Sequence, residues 1–119
     1  LLGLTFKPNT DDMRDAPSIS IIQALQDAGA TIRAYDPEGV EQAKPLLKDV
    51  LFSDSPYAAA ENADALVIVT EWDEFRALDL TRMHSLLSTP LLVDLRNIYP
   101  PQEAARAGLT LVSVGKPNG

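Results

Sequence analysis

Two cations that could bind an anion lie in the loop of residues 7–15. Lys7 opens this loop and Arg14 lies near its end, with three aspartates between and beside them. The loop follows a continuous apolar run over residues 1–6, which is typical of a strand buried on both faces in a parallel sheet. Because ligands of open α/β sheets bind outside the carboxyl ends of the strands, Lys7 is predicted to meet an anionic ligand there.

The three aspartates of this loop have two interpretations. Asp11, Asp12 and Asp15 could serve the ligand site, or they could stabilise the positive end of the next helix dipole. Capping needs only one residue, either Asp15 or Ser18. Both interpretations stay open for the carboxylates, whereas capping does not explain Lys7.

The elements that must position this loop alternate along the chain. A helix is predicted over residues 18–28, where apolar side chains recur every three residues. Further strands are predicted at 31–35, 50–52, 65–69, 91–95 and 109–114, and further helices at 37–47, 56–62, 80–87 and 100–107. This alternation predicts an α/β fold, a three-layer α/β/α, Rossmann-like open sheet that is mostly parallel and has about five to six strands.

A second cation, Arg96, follows the predicted strand 91–95. It occupies the position that Lys7 occupies after the first strand, just beyond a carboxyl end. Two such cations can share one anionic ligand at the same sheet edge.

Four other residues could do chemistry but favour simpler roles. Asp36 is interpreted as the N-cap of the helix 37–47 rather than as a ribose-binding acid, because no Gly-x-Gly-x-x-Gly turn precedes it. Trp72 and Phe75 are interpreted as core anchors rather than walls of a pocket. His84 lies opposite an apolar helical stripe and has no second ligand at metal spacing, so no metal or catalytic role is predicted for it.

Composition narrows the class of protein. The chain has 119 residues, the size of one domain, and no cysteine, which removes disulfides and thiol nucleophiles. A formal charge of -7 argues against non-specific binding to nucleic acid. Neither a membrane span nor a signal peptide is apparent, so we expect a cytoplasmic protein. The abrupt opening on a strand suggests a piece of a longer protein.

Three separated stretches resemble one known family. They read Gly-Leu-Thr-Phe-Lys-Pro-Asn-Thr-Asp-Asp-Met-Arg-Asp-Ala-Pro-Ser at 3–18, Thr-Glu-Trp-Asp-Glu-Phe at 70–75 and Val-Asp-Leu-Arg-Asn-Ile-Tyr at 93–99. Together they are similar to the C-terminal, UDP-binding domain of the UDP-glucose/GDP-mannose dehydrogenases. The resemblance covers essentially the whole chain and implies that residues 1–119 form a single nucleotide-sugar-binding domain, a C-terminal fragment of a longer dehydrogenase.

The resemblance also implies roles for particular residues. By position, Phe6, Lys7 and Arg96 would contact the UDP-sugar, and Arg14 would reach toward NAD, across a dimer. The family often has glycine where this chain has Leu95, so a side chain there is expected to affect the loop that carries Arg96. The amino-acid sequence of the first stretch is most similar to the UDP-glucose branch of the family.

In that family NAD binds mainly to an N-terminal domain, and the sugar C6 alcohol is oxidised twice, from UDP-glucose to UDP-glucuronate, with a catalytic cysteine. The resemblance therefore implies partner N-terminal and central domains, a homodimer in the full-length protein, and no catalysis by this fragment alone.

Two alternatives remain. A phosphoacceptor receiver domain would have similar size and acidity, with Asp11 and Asp12 as the acid pair, Asp54 as acceptor, and Thr70 and Lys116 completing the set. The spacing is against it, because the strand ending at Arg96 intervenes before the lysine. The other alternative is a nucleotide-binding module without catalysis, serving only assembly.

Overall fold

In the computed structural model, residues 1–5 and 16–113 are described. This part of the chain contains six helices and five strands, which alternate except where α5 follows α4 directly. The helices are α1 (Pro17–Asp27), α2 (Val40–Ala43), α3 (Pro56–Ala60), α4 (Asp73–Arg76), α5 (Leu80–Leu86) and α6 (Pro101–Arg106). The strands are β1 (Ile32–Ala34), β2 (Val50–Phe52), β3 (Leu66–Ile68), β4 (Leu91–Asp94) and β5 (Thr110–Ser113).

The strands pair in parallel, as two short sheets joined by the N-terminal segment, residues 1–5. β1 pairs with β2, and β4 pairs with both β3 and β5. Within the N-terminal segment, Leu2 forms parallel bridges to Tyr35 on one side and Ile68 on the other. The spatial order is therefore β2, β1, N-terminal segment, β3, β4, β5, which is the order of a Rossmann fold.

Two apolar clusters cover the two faces of this layer. Ile22 of α1 and Ala43 of α2 belong to one cluster, together with Ile32. Phe75 of α4 and Met83 of α5 belong to the other. Neighbouring β3 residues contribute to opposite clusters, since successive side chains of a strand point to opposite faces. The predicted three-layer α/β/α arrangement is confirmed.

Most predicted elements occur close to their predicted positions. The end of α1 is defined by Gly29, whose φ of +95° suits the left-handed position after a helix. Gly108 ends α6 in the same way, with φ of +83°.

Two local predictions were wrong. The second helix begins at Val40 with Gly39 as its N-cap, not at Pro37 after Asp36, and it ends at Ala43 rather than near 47. The short helix α4 was not among the predicted helices. The predicted first strand corresponds to the N-terminal segment, where the bridges of Leu2 pair it with neighbours on both sides.

Candidate functional site

The strand order reverses between the N-terminal segment and β3. In open α/β sheets the crevice at the carboxyl ends of two such strands is the usual ligand site. Here Thr5 ends the N-terminal segment, and Thr70 and Glu71 follow β3. Arg96 follows β4, the next strand along. We call the region formed by Thr5, Thr70, Glu71 and Arg96 the switch-point crevice.

The two central strand ends are tied tightly together. The buried hydroxyl of Thr70 donates a hydrogen bond to the Thr5 carbonyl, with 2.8 Å between the oxygens. Gly3 has a φ of +97°, and a Cβ at this position would lie 2.5 Å from the Thr70 nitrogen. The close approach therefore requires glycine.

The carboxylate of Asp36 stabilises the same carboxyl edge of the sheet through hydrogen bonds. Its Oδ2 accepts from the backbone nitrogens of Leu4 and Thr5, at 2.7 and 3.2 Å, and from the Trp72 indole at 3.2 Å. Its Oδ1 accepts from two backbone nitrogens of the following turn, those of Glu38 at 2.9 Å and Gly39 at 2.7 Å. The carboxylate is buried and five N–H groups surround it. Asp36 thus caps the turn before α2, and it has no acceptor left for a ribose hydroxyl.

The aromatic residues near the crevice lie in the core, as predicted. Phe75 is fully buried and Trp72 nearly so, within the cluster that α4 and α5 cover. The Tyr99 hydroxyl donates to the Phe75 carbonyl. Burial, reinforced by the charge of Asp94, raises the pKa of Tyr99 well above its usual value, so this phenol stays a donor.

A second buried carboxylate, that of Asp94, holds the loop that carries Arg96. Its Oδ1 accepts from the Arg96 backbone nitrogen at 3.1 Å, and its Oδ2 accepts from the Tyr99 nitrogen at 2.9 Å. Because the carboxylate is fully buried at the end of β4, these two bonds fix the course of the backbone directly after the strand.

Leu95 is held in this loop by a backbone hydrogen bond and by packing of its side chain. Its backbone nitrogen donates to the Ile68 carbonyl at 3.1 Å, which extends the pairing of β4 with β3 by one residue past the strand end. Its side chain packs against the cluster that α1 and α2 cover. The positive φ in this loop belongs to Asn97, so Leu95 is accommodated without left-handed backbone.

Glu71 and Arg96 form an ion pair across the ends of β3 and β4. The Glu71 Oε2 and Arg96 Nε atoms are 3.2 Å apart, and both side chains are about one-third exposed. The Nε atom is buried and is not aligned with an acceptor for a hydrogen bond, so the contact is electrostatic. Glu71 was not predicted as a site residue from the sequence. Its position could have indicated it, because Glu71 is an acid that follows β3, and β3 is the neighbour of the strand that precedes Arg96.

The other predicted site residues lie outside the described residues. These are Phe6, Lys7 and Arg14, together with the loop aspartates Asp11, Asp12 and Asp15. Of the residues predicted to bind the ligand, Arg96 is therefore the one that the structure places at the switch-point crevice.

A cavity of about 430 Å³ opens at the opposite, amino-terminal edge of the sheet, between Gly29, Arg33 and Asp64. The Leu1 nitrogen lies beside it and donates to the Arg33 carbonyl at 2.7 Å. The cavity faces away from the switch-point crevice.

The strand order argues against the receiver-domain alternative. Asp54 follows β2, which is the edge strand, whereas Thr70 follows β3. β1 and the N-terminal segment lie between these two strand ends, and the Thr70 hydroxyl is committed to Thr5. A receiver has the strand order 2-1-3-4-5, which differs from the order here.

The chain was compared with protein families and with curated proteins. The model of the UDP-glucose/GDP-mannose dehydrogenase family, UDP binding domain, matches residues 1–101. The chain belongs to this family. UDP-glucose 6-dehydrogenase of Rhizobium meliloti is 59% identical over 118 residues, and that of Pseudomonas aeruginosa is 46% identical over 123 residues. These alignments cover 99% and 98% of the chain but 27% of each relative, so this family domain spans about a quarter of their length.

Solved structures of the dehydrogenases agree with the fold of this family domain. The NDP-N-acetyl-D-galactosaminuronic acid dehydrogenase of Methanosarcina mazei superposes with a TM-score of 0.83 at 26% identity, over 97% of this chain and 24% of that one. A UDP-glucose dehydrogenase of Pyrobaculum islandicum gives a TM-score of 0.72 at 30% identity, over 86% of this chain and 22% of that one. The Rossmann-like assignment is confirmed.

Two features are absent from residues 1–5 and 16–113. No helix there is long and apolar enough to cross a membrane. No group of three or more histidine, aspartate or glutamate side chains in the same residues could hold a metal ion.

Proposed function

We propose that this domain binds the UDP part of a UDP-sugar within an NAD-dependent dehydrogenase that oxidises the sugar C6 alcohol to a carboxylate, converting UDP-glucose to UDP-glucuronate. The observation that carries the proposal is the position of Arg96. It lies at the switch-point crevice with its backbone fixed by Asp94. A guanidinium held at the carboxyl edge of a parallel sheet suits a diphosphate, because its planar donors can bind two phosphate oxygens.

The ligand contacts proposed for the domain are those of Phe6, Lys7 and Arg96, with Arg14 directed toward NAD. Lys7 follows Thr5 by two residues, and the Thr5 carbonyl is fixed at the crevice by Thr70. A lysine ammonium and a guanidinium on either side of the β3 end would together neutralise most of the charge of a diphosphate. The chain as a whole is acidic, so these local cations must provide the attraction.

Catalysis is assigned to polypeptide beyond this domain. The chain has no cysteine to act as the nucleophile, and a dinucleotide-binding glycine motif is also missing from the sequence. We infer that NAD is bound mainly by an N-terminal domain, that residues 1–119 form one C-terminal domain of the longer enzyme, and that the enzyme is a homodimer. On this proposal the isolated domain binds but does not oxidise its ligand.

Calorimetric titration of the intact protein with UDP and UDP-glucose tests the proposal. Lys7→Ala and Arg96→Ala should each weaken UDP binding by about 10- to 100-fold, as expected for losing a hydrogen bond to a charged group. Arg76→Ala is the matched control, because Arg76 lies on α4 in a surface ion pair with Asp73. Wild-type protein that is folded and binds no UDP, or variants that all bind alike, would overturn the assignment.

A further inference from the structure

The Glu71–Arg96 ion pair differs from other ion pairs of the described residues. Lys44 pairs with Glu41, and Arg76 pairs with Asp73, each between residues three apart in the sequence and with side chains more than half exposed. Such pairs contribute little to stability. Glu71 and Arg96 instead come from the ends of two neighbouring strands, and both are only about one-third exposed.

Both backbones of this pair are anchored by buried groups. Glu71 lies between Thr70, whose hydroxyl bonds the Thr5 carbonyl, and Trp72, whose indole bonds Asp36. On the other side, the Asp94 carboxylate accepts from the backbone nitrogen of Arg96. The carboxylate and the guanidinium therefore meet because the fold fixes both of their chain positions, with little freedom for the pair to drift apart.

The contact also uses a particular atom of the guanidinium. Glu71 approaches Nε, at 3.2 Å, on the side of the group nearest the main chain. The negative charge beside Nε favours side-chain orientations that keep this atom toward Glu71. The outer fork, Nη1 and Nη2, is the part of the group suited to a bidentate phosphate contact. An arginine side chain has about 2 kcal/mol of rotamer entropy to lose on binding, and a restrained side chain has already lost part of it.

We propose that Glu71 is a positioning residue, which holds Arg96 in the orientation that receives the diphosphate of the nucleotide. The inference rests on the proposed function. It assigns Glu71 no contact with the ligand, and it makes the pair a unit in which Glu71 acts only through Arg96.

A double-mutant cycle in the intact protein tests this, with UDP and uridine titrated by calorimetry. Glu71→Gln keeps the size of the side chain and removes its charge, and it should weaken UDP binding by about 3- to 10-fold. In the Arg96→Ala background the same substitution should change UDP binding by less than about twofold, because its target is gone. Uridine lacks the diphosphate, so its affinity should not respond to Glu71→Gln. Glu74→Gln is the matched control, since Glu74 accepts from the Tyr35 hydroxyl at 2.8 Å and should leave UDP binding unchanged.

Each other outcome overturns the assignment. Tighter UDP binding by Glu71→Gln would mean that the carboxylate competes with the ligand for Arg96. Equal losses for UDP and uridine would mean that Glu71 contacts the nucleoside or merely shapes the fold. Additive losses in the double variant would mean that the two residues act separately. Absence of UDP binding by the wild-type protein would instead defeat the proposed function itself, which distinguishes the two failures.

Discussion

Buried carboxylates are the residues that organise the carboxyl edge of this sheet. Asp36 joins the N-terminal segment, the turn before α2 and the β3 end through Trp72. Asp94 does the same on a smaller scale for the Arg96 loop. A carboxylate that accepts several N–H bonds is well stabilised when buried, but its replacement leaves those donors without a partner.

We therefore expect Asp36→Asn to destabilise the domain by about 2–4 kcal/mol. Both carboxylate oxygens of Asp36 accept from N–H donors, whereas an asparagine side chain has one oxygen and would place its NH₂ group against the donors of the other. Urea unfolding followed by circular dichroism measures the change. Asp73→Asn is the control, since Asp73 is exposed and pairs only at the surface with Arg76, and it should cost no more than about 0.5 kcal/mol. Equal effects of the two substitutions would contradict the role given to Asp36.

Gly3 and Gly29 allow backbone strain to be separated from steric clash. Both have φ near +95°, but a Cβ on Gly3 would meet the Thr70 nitrogen at 2.5 Å, whereas one on Gly29 would meet nothing within 4 Å. Gly29→Ala should cost about 1–2 kcal/mol for the left-handed conformation alone. Gly3→Ala should cost about 1–3 kcal/mol more, because the tight approach is overpacked. Thermal and urea unfolding of the two variants decide this, and equal costs would refute the clash.

At the scale of elements, the ends of the N-terminal segment and β3 are linked by a side-chain hydrogen bond. The Thr70 hydroxyl after β3 donates to the Thr5 carbonyl at the end of the N-terminal segment, two residues before Lys7 in the sequence. The two strands around the switch point are thus joined by a side chain at the edge where the ligand is proposed to bind.

Thr70→Val should show how much the hydrogen bond between Thr70 and Thr5 contributes to stability and to UDP binding. It keeps the shape of threonine and removes the hydroxyl that donates to the buried Thr5 carbonyl, so we expect a loss of about 1–3 kcal/mol in stability and weaker UDP binding. Thr70→Ser keeps the hydroxyl and should retain UDP affinity while losing about 1 kcal/mol for the missing methyl group. Unfolding curves and UDP titrations of both variants provide the test. If the Thr70→Val variant bound UDP as tightly as the Thr70→Ser variant, the Thr70 hydroxyl would have no part in UDP binding.

Elements with strong local signals were predictable, and those set by distant contacts were not. The strands around Leu66 and Leu92 are continuous apolar runs, and Gly29 and Gly108 end their helices as the sequence indicates. The start of α2 was misplaced because the carboxylate of Asp36 is bound by residues from other strands, which no local pattern reveals. The same holds for Glu71, whose partner Arg96 comes from a different strand end, beyond α4 and α5 in the sequence.

At the scale of the whole molecule, the parallel strands give the sheet two different edges. The carboxyl edge holds the switch-point crevice, and the amino edge holds the cavity beside Leu1. The Rossmann-like fold class was predictable because helices and strands alternate along the sequence. The position of the reversal, between the N-terminal segment and β3, emerged only from the bridges of Leu2.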